Sequence, residues 1–247
     1  MEKDCWQCLA YETLHQRNGF GVGTRRNAEI ALDIRATIEG ELFGTNAEVL
    51  TNFRELLVDE IDEFINETVK AHSEWERWDS KINDNEQKAL VSAFIFNALN
   101  LVLISTKLFI HGYVVPSGNL VRTAMESCAM AILCSNKELP FYQKIREDDF
   151  RASTAVKTVE DCANELGVNQ SSLTEFKKHW AWYHNYSHAT TFSLAALISS
   201  KEGVSNIYFG SVFAPEKKDT YKKELMIRIH IMRNMEDIVS GIISNFK

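Results

Sequence analysis

The densest run of side chains able to do chemistry is Trp180-Ala181-Trp182-Tyr183-His184-Asn185-Tyr186-Ser187-His188. On a helix His184 and His188 are four residues apart and share a face. Two imidazoles so spaced can grip one metal ion, as zinc peptidase helices do, but those helices carry a glutamate directly after the first histidine. Asn185 stands at that place here, so no zinc hydrolase of that kind is expected. The plainer reading is a polar-aromatic helix end whose histidines bond nearby backbone or carboxylates. A second pair, Arg122 and Glu126, has the same four-residue spacing among Leu120, Val121, Ala124, Met125, Cys128 and Ala129. A partly buried ion pair loses hydration and is a poor device for stability alone. The pair reads equally as part of a site and as a polar key that fixes packing.

Three other stretches invite a chemical reading. Cys5-Trp6-Gln7-Cys8, with His15 nearby, supplies half of a tetrahedral zinc site and no close second half. Two incidental helix cysteines are the simpler reading. Gly19-Phe20-Gly21-Val22-Gly23-Thr24-Arg25-Arg26 has the glycines of a phosphate cradle but lacks a preceding strand and a Lys-Ser/Thr ending, so it reads as a link. The run Asp59-Glu60-Ile61-Asp62-Glu63 lacks the Glu-x-x-His pairs of di-metal bundles and reads as a solvated helix face. No metal and no cofactor is expected.

The elements that must position these groups are helices. The 247 residues contain three prolines, 45% hydrophobic and 25% charged side chains, the composition of a globular chain with few helix breakers. Three-four apolar spacing predicts helices over residues 5–17, over 24–42 behind a Thr24 cap, and from a Thr45 or Asn46 cap through Leu50, Phe53, Leu57, Ile61, Phe64 and Ile65 toward Trp75. The uncharged stretch from Ala89 to Thr106 extends to a helix over 86–110. Its Ser92, Asn97, Asn100 and Ser105 favour a central buried helix over a membrane span. Gly112 to Gly118 reads as a link with Ser117 capping a helix over 120–133. Further helices are predicted over 141–166, closed by Gly167, from Asn169 or Ser171 through Tyr186, and over 217–246. Ile207 to Phe213 is rich in β-formers and predicts an irregular or hairpin segment near 205–214. The fold expected is an all-α multi-helix bundle with long antiparallel helices in a single domain over 1–247. Residues 1–85 would be its N-terminal helices and 86–247 its core.

A net charge of −7 gives no general attraction to polyphosphate. No signal-peptide pattern follows the charged start. Five cysteines are an odd number for a disulfide framework, and Cys128, Cys134 and Cys162 read as reduced core thiols, so the chain is expected in the cytoplasm.

Gly118-Asn119-Leu120-Val121-Arg122-Thr123-Ala124-Met125-Glu126, Tyr183 through Thr190, and Ile207 through Ser211 together resemble a group of uncharacterised bacterial helical proteins related to the HEPN superfamily. The resemblance covers about residues 90–245 and its motifs are short. It implies a helical effector or accessory protein of a stress, toxin–antitoxin or phage-defence module that acts on RNA. The superfamily's signature is an arginine, a polar residue and then a histidine one turn on. Arg233-Asn234 begins it but no histidine follows, Arg17-Asn18 leads into glycines, and Arg122 has no histidine close behind. The site implied is therefore composite and metal-independent. Arg122, Glu126, His184 and His188 would work on an RNA phosphodiester, and Tyr183, Asn185 and Ser187 would contact the substrate. The alternative is a non-catalytic interaction module with a protein partner encoded nearby or a second copy of itself. Trp75, Trp78, Trp180 and Trp182 would then anchor the contact.

Overall fold

The structure, a computed structural model, describes residues 24–188, 190–201, 204–207 and 210–246. The expected helix over 5–17, the Cys5/Cys8/His15 group and the glycines before Thr24 lie outside the described residues. Ten α-helices and one short hairpin are present among those described: α1 (Thr24–Phe43), α2 (Ala47–Leu56), α3 (Val58–Asp79), α4 (Glu86–Ile110), α5 (Val114–Ser135), α6 (Phe141–Arg146), α7 (Ala152–Asp161), α8 (Gln170–His184), α9 (Thr191–Ala196), β1 (Ile198–Lys201), β2 (Val204–Ile207) and α10 (Lys218–Ser244). The protein is an all-α multi-helix bundle.

The centre is the antiparallel pair α4–α5. Ile95, Ala98, Leu99 and Val102 of α4 and Val121, Ala124, Met125 and Cys128 of α5 are fully or almost fully buried. The turn between them needs Gly112, at φ +87°, because a Cβ there would sit 2.5 Å from the Val212 backbone nitrogen. On one side α10 runs along α3, with Lys222 on Glu60 at 3.0 Å near one end and Phe246 stacked on Trp78 near the other. On the other side α7 and α8 close a second apolar cluster, in which Val156, Val159 and Leu173 meet Ala129 and Leu133 of α5. α4 is long and apolar enough to cross a membrane by length and composition. Its buried Ser105 donates to the Ser117 carbonyl, and its Ser92 accepts from Trp75, so both hydroxyls are satisfied inside the bundle.

Several boundaries differ from the sequence reading, each for a local reason. The long acidic helix is broken at Leu57, whose φ of −123° turns its buried side chain inward while Ile61 N–H still reaches its carbonyl. Beyond the break Phe64, Thr68 and Ala71 face in, and Ile65 and Val69 face out. The link expected over 112–118 is mostly helix, since α5 starts at Val114 and carries Pro116 in its first turn, where no N–H is needed. The helix expected over 141–166 is two helices. The chain reverses through Asp148 at φ +57°, which brings Phe150 edge-on to Phe141 at 5.6 Å. The hairpin pairs Ile198 with Ile207 and Lys201 with Val204, so it starts earlier than expected, and described residues 210–214 are irregular.

Candidate functional site

α8 is capped by Asn169, whose carboxamide accepts from the Ser171 and Ser172 N–H groups, and ends at His184. The chain then tightens into i→i+3 turns: Asn185 N–H donates to the Trp182 carbonyl, Tyr186 to Tyr183 and Ser187 to His184. Thr190 closes the segment as the cap of α9 in a reciprocal box with Ser193. The Thr190 hydroxyl also donates to the Asn185 carbonyl at 2.9 Å, and that of Ser193 to the His188 carbonyl at 3.0 Å. The polar segment 184–188 is thus held at both ends.

This segment lies against the middle of α5. Arg122 donates from Nε to Glu126 Oε1 at 3.1 Å and from Nη1 to Ser187 Oγ. Its guanidinium lies 5.4 Å from the Trp180 ring, and Trp180 donates its indole N–H to the same Glu126 oxygen. His184 and His188 sit ring to ring with centroids 4.4 Å apart, and His184 is 5.9 Å from Trp180. Partial desolvation, the Arg122 guanidinium and His188 hold the His184 pKa below the usual imidazole value, against the opposing pull of Glu126. Arg122 and Glu126 keep only 14% and 13% of their side-chain surface, whereas both histidines are exposed. Arg122 Nη2 makes no hydrogen bond within the described residues, which leaves one cationic edge for a ligand. One turn earlier on α5, Asn119 Oδ1 is buried without a hydrogen-bond partner among the described residues.

Five of the seven residues singled out from sequence therefore converge: Arg122, Glu126, His184, Ser187 and His188. The other two do not face this opening. The Asn185 carboxamide turns back to the Trp182 carbonyl at 3.1 Å as part of the helix end. Tyr183 is fully buried and bonded into a second polar network.

That network is centred on Glu224 and Arg228 of α10. Glu224 Oε1 accepts from Trp182 Nε1 and Tyr186 Oη, each at 2.8 Å, and Oε2 accepts from Tyr183 Oη at 3.0 Å and Arg228 Nη1 at 2.8 Å. Arg228 also donates to the hydroxyls of Ser105 and Ser117 and lies over the Phe109 ring. Burial, followed by the contact with Glu224, pushes the Tyr186 phenol well above its ordinary pKa. Burial works against the Arg228 charge, but Tyr183 and Glu224 outweigh it and raise its pKa. This network was missed from sequence, although Glu224 and Arg228 stand four apart around the apolar Leu225-Met226-Ile227, the same spacing that marked Arg122 and Glu126. Its part is to fix Trp182, Tyr183 and Tyr186, and through them the histidine segment.

The tryptophans expected to anchor a partner are engaged internally: Trp78 is buried, Trp75 bonds Ser92, Trp180 bonds Glu126 and Trp182 bonds Glu224. Among the described residues no three His, Cys, Asp or Glu side chains gather as a metal site. Cys128 and Cys134 are buried free thiols, each pushed up to about 12 by burial, which makes them poor nucleophiles. Comparison of the chain with protein-family models, with curated proteins and with solved structures finds no match.

Proposed function

We propose that this protein is a HEPN-like helical effector of a bacterial stress or phage-defence module, acting in the cytoplasm as a metal-independent ribonuclease. The observation that carries the reading is the approach of two exposed imidazoles, His184 and His188, to a guanidinium whose Nη2 has no hydrogen-bond partner among the described residues. His184, held toward its neutral form near pH 7, takes the proton of a ribose 2′-hydroxyl. The 2′-oxygen bonds to phosphorus, the P–O5′ bond breaks, and His188 gives a proton to the departing O5′. Arg122 holds the charge that builds on the non-bridging oxygens, while Glu126 and Ser187 hold Arg122. The products are a 2′,3′-cyclic phosphate and a 5′-hydroxyl. With a net charge of −7, RNA affinity must come from local contacts, which suits a short single-stranded substrate.

The test is incubation with a labelled single-stranded RNA in EDTA, beside the same strand carrying a 2′-deoxy substitution. Cleavage of the first strand alone is expected. Loss of about 100-fold or more is expected in His184→Ala and His188→Ala, with melting unchanged because both side chains are exposed. Cleavage that persists in both variants, or an unaltered protein that cuts no RNA, would overturn the reading.

A second reading, a non-catalytic dimerisation or interaction module, is favoured by apolar side chains left on the surface. Phe96, Leu103 and Ile104 of α4 and Ile34, Ile38 and Leu42 of α1 are each at least 39% exposed.

A further inference from the structure

α8 and α10 each pack on α5, and the Glu224–Arg228 network ties them together at one end. Away from that tie they separate, and a cleft of about 510 Å³ opens between them over α5. Its floor is apolar and buried, with Met125, Cys128 and Ala129 from α5, Val159 from α7, Leu173 from α8 and Met235 from α10. Ala129, Ser171 and Ser172 bring small side chains to its lining. Protein interiors are otherwise close-packed, and clefts of this volume with an apolar floor and a few polar groups at the rim are the common form of small-molecule sites.

The rim decides the ligand. His179 of α8 and His230 of α10 stand at the end nearest the network, and Asn234 follows His230 by four residues on the same face of α10. Arg233, the one arginine among the described residues of the rim, is already paired with Glu63 of α3. Glu175 and Asp237 also line the rim and bring negative charge to the opening. A carboxylate or phosphate would meet that charge, and among the described lining residues no lysine or arginine besides the paired Arg233 stands there to receive it. A neutral head could bond the imidazoles and the carboxamide without desolvating a charge. We propose that this cleft binds a small neutral amphiphile, an aromatic or branched hydrocarbon body bearing a single hydroxyl or amide head. The body lies over Met125, Cys128 and Ala129, and the head meets His179, His230 and Asn234.

The state of His179 agrees with this assignment. Burial first, then the repulsion of His230 and Lys178, lowers its pKa against the pull of Glu175 and Glu224, which keeps a neutral imidazole available near pH 7. The cleft is distinct from the Arg122 opening. His179 and Trp180 are successive residues and so point about 100° apart around α8.

The test uses 1-naphthol and 1-naphthoate as probes at pH 7.5, titrated by fluorescence against the full chain. Saturable 1:1 binding of 1-naphthol is expected, at least ten-fold tighter than that of 1-naphthoate. Ser172→Trp, at an exposed rim position, should weaken 1-naphthol at least ten-fold by filling the mouth. His230→Ala, also exposed, should weaken it several-fold. Both variants should melt as the unaltered protein does. His188→Ala should bind 1-naphthol unchanged, which keeps this result separate from any loss of RNA cleavage. Absence of saturable binding, equal or tighter binding of 1-naphthoate, or full affinity in Ser172→Trp would each overturn the assignment.

Discussion

Glu224 has no acceptor site to spare: four donors from Trp182, Tyr183, Tyr186 and Arg228 occupy its two oxygens, and the residue is only 1% exposed. Such a charge is stable only while its partners are complete. Glu224→Gln is therefore expected to destabilise the fold by about 3–5 kcal/mol, because it strands the fully buried Arg228 guanidinium. Urea denaturation followed by circular dichroism reads this directly. Replacing both partners, Glu224→Leu with Arg228→Met, should fail to restore stability. The double change leaves the Trp182 indole N–H and the Tyr183 and Tyr186 hydroxyls unpaired, at about 1–3 kcal/mol each. Recovery to within about 1 kcal/mol would show that the tyrosines find other acceptors. At the same scale, the Arg122 site was legible because its residues carry their chemistry in their spacing. Its convergence was expected only as what the resemblance implies, because contact between residues 122 and 187 is set by how two helices lie and no local pattern encodes that. Tyr183 and Asn185 mislead for a related reason. They are neighbours of His184 in sequence, but successive positions on a turn point in different directions.

The elements were legible where apolar spacing was long and its ends were capped. α4 spans the expected residues 86–110 behind an Asn85 cap, and α8 starts behind Asn169, one of the two caps expected for it. They were not legible where a break is imposed from outside, as at Leu57 or at the reversal between α6 and α7, because burial of Leu57 and the Phe141–Phe150 contact are tertiary facts. Contact between α5 and the histidine segment rests on Gly118, where a Cβ would lie 2.5 Å from the Tyr186 ring. Gly118→Ala must displace a ring that is bonded to Glu224. A loss of about 1–3 kcal/mol in stability is expected, together with weaker RNA cleavage, since Ser187 and the histidines move with Tyr186. A stability equal to that of the unaltered protein would show that the segment has slack. The joint between α9 and α10 makes a prediction in pH. Lys217 is buried and donates to the carbonyls of Ala195 and Ala196 at the end of α9, and burial lowers its pKa to about 8, against the pull of Glu216. The unfolded chain, with an ordinary lysine, then binds more protons than the native state between pH 8 and 10, so stability rises with pH across that window. The expected gain is roughly 1–2 kcal/mol from pH 8 to 10. It should vanish in Lys217→Met, and equal slopes in the two proteins would refute it.

At the scale of the whole molecule, the all-α class follows from few prolines and long apolar periods, but the surface does not. A three-four pattern says which face of a helix is apolar and is silent on whether another element covers it. On α1 the periodic Ile34, Ile38 and Leu42 remain exposed, and Glu41 ties the helix to the rest by accepting from Tyr113 Oη at 2.8 Å and from the Ser211 N–H. On α4, Phe96 continues outward from the Trp75 ring at 4.9 Å toward Leu103 and Ile104. Two explanations compete for the α4 face, lipid and a second copy of the chain. Lipid is disfavoured by polarity within the same helix: Asn97 is exposed and bonded to Ser127, and Lys107 is exposed near the end. A second copy covers apolar side chains and leaves polar groups like these at a wet rim. The chain is therefore expected to sediment as a dimer at micromolar concentration, and Phe96→Glu with Leu103→Glu to sediment as a monomer. Because both side chains are exposed in the single chain, the double variant should keep its helical content. Flotation of the unaltered protein with phospholipid vesicles, or a monomer at every concentration, would remove the dimer. Retained RNA cleavage by the monomeric variant would place the Arg122 site within one chain, as its geometry implies, whereas loss of cleavage would make assembly part of the activity.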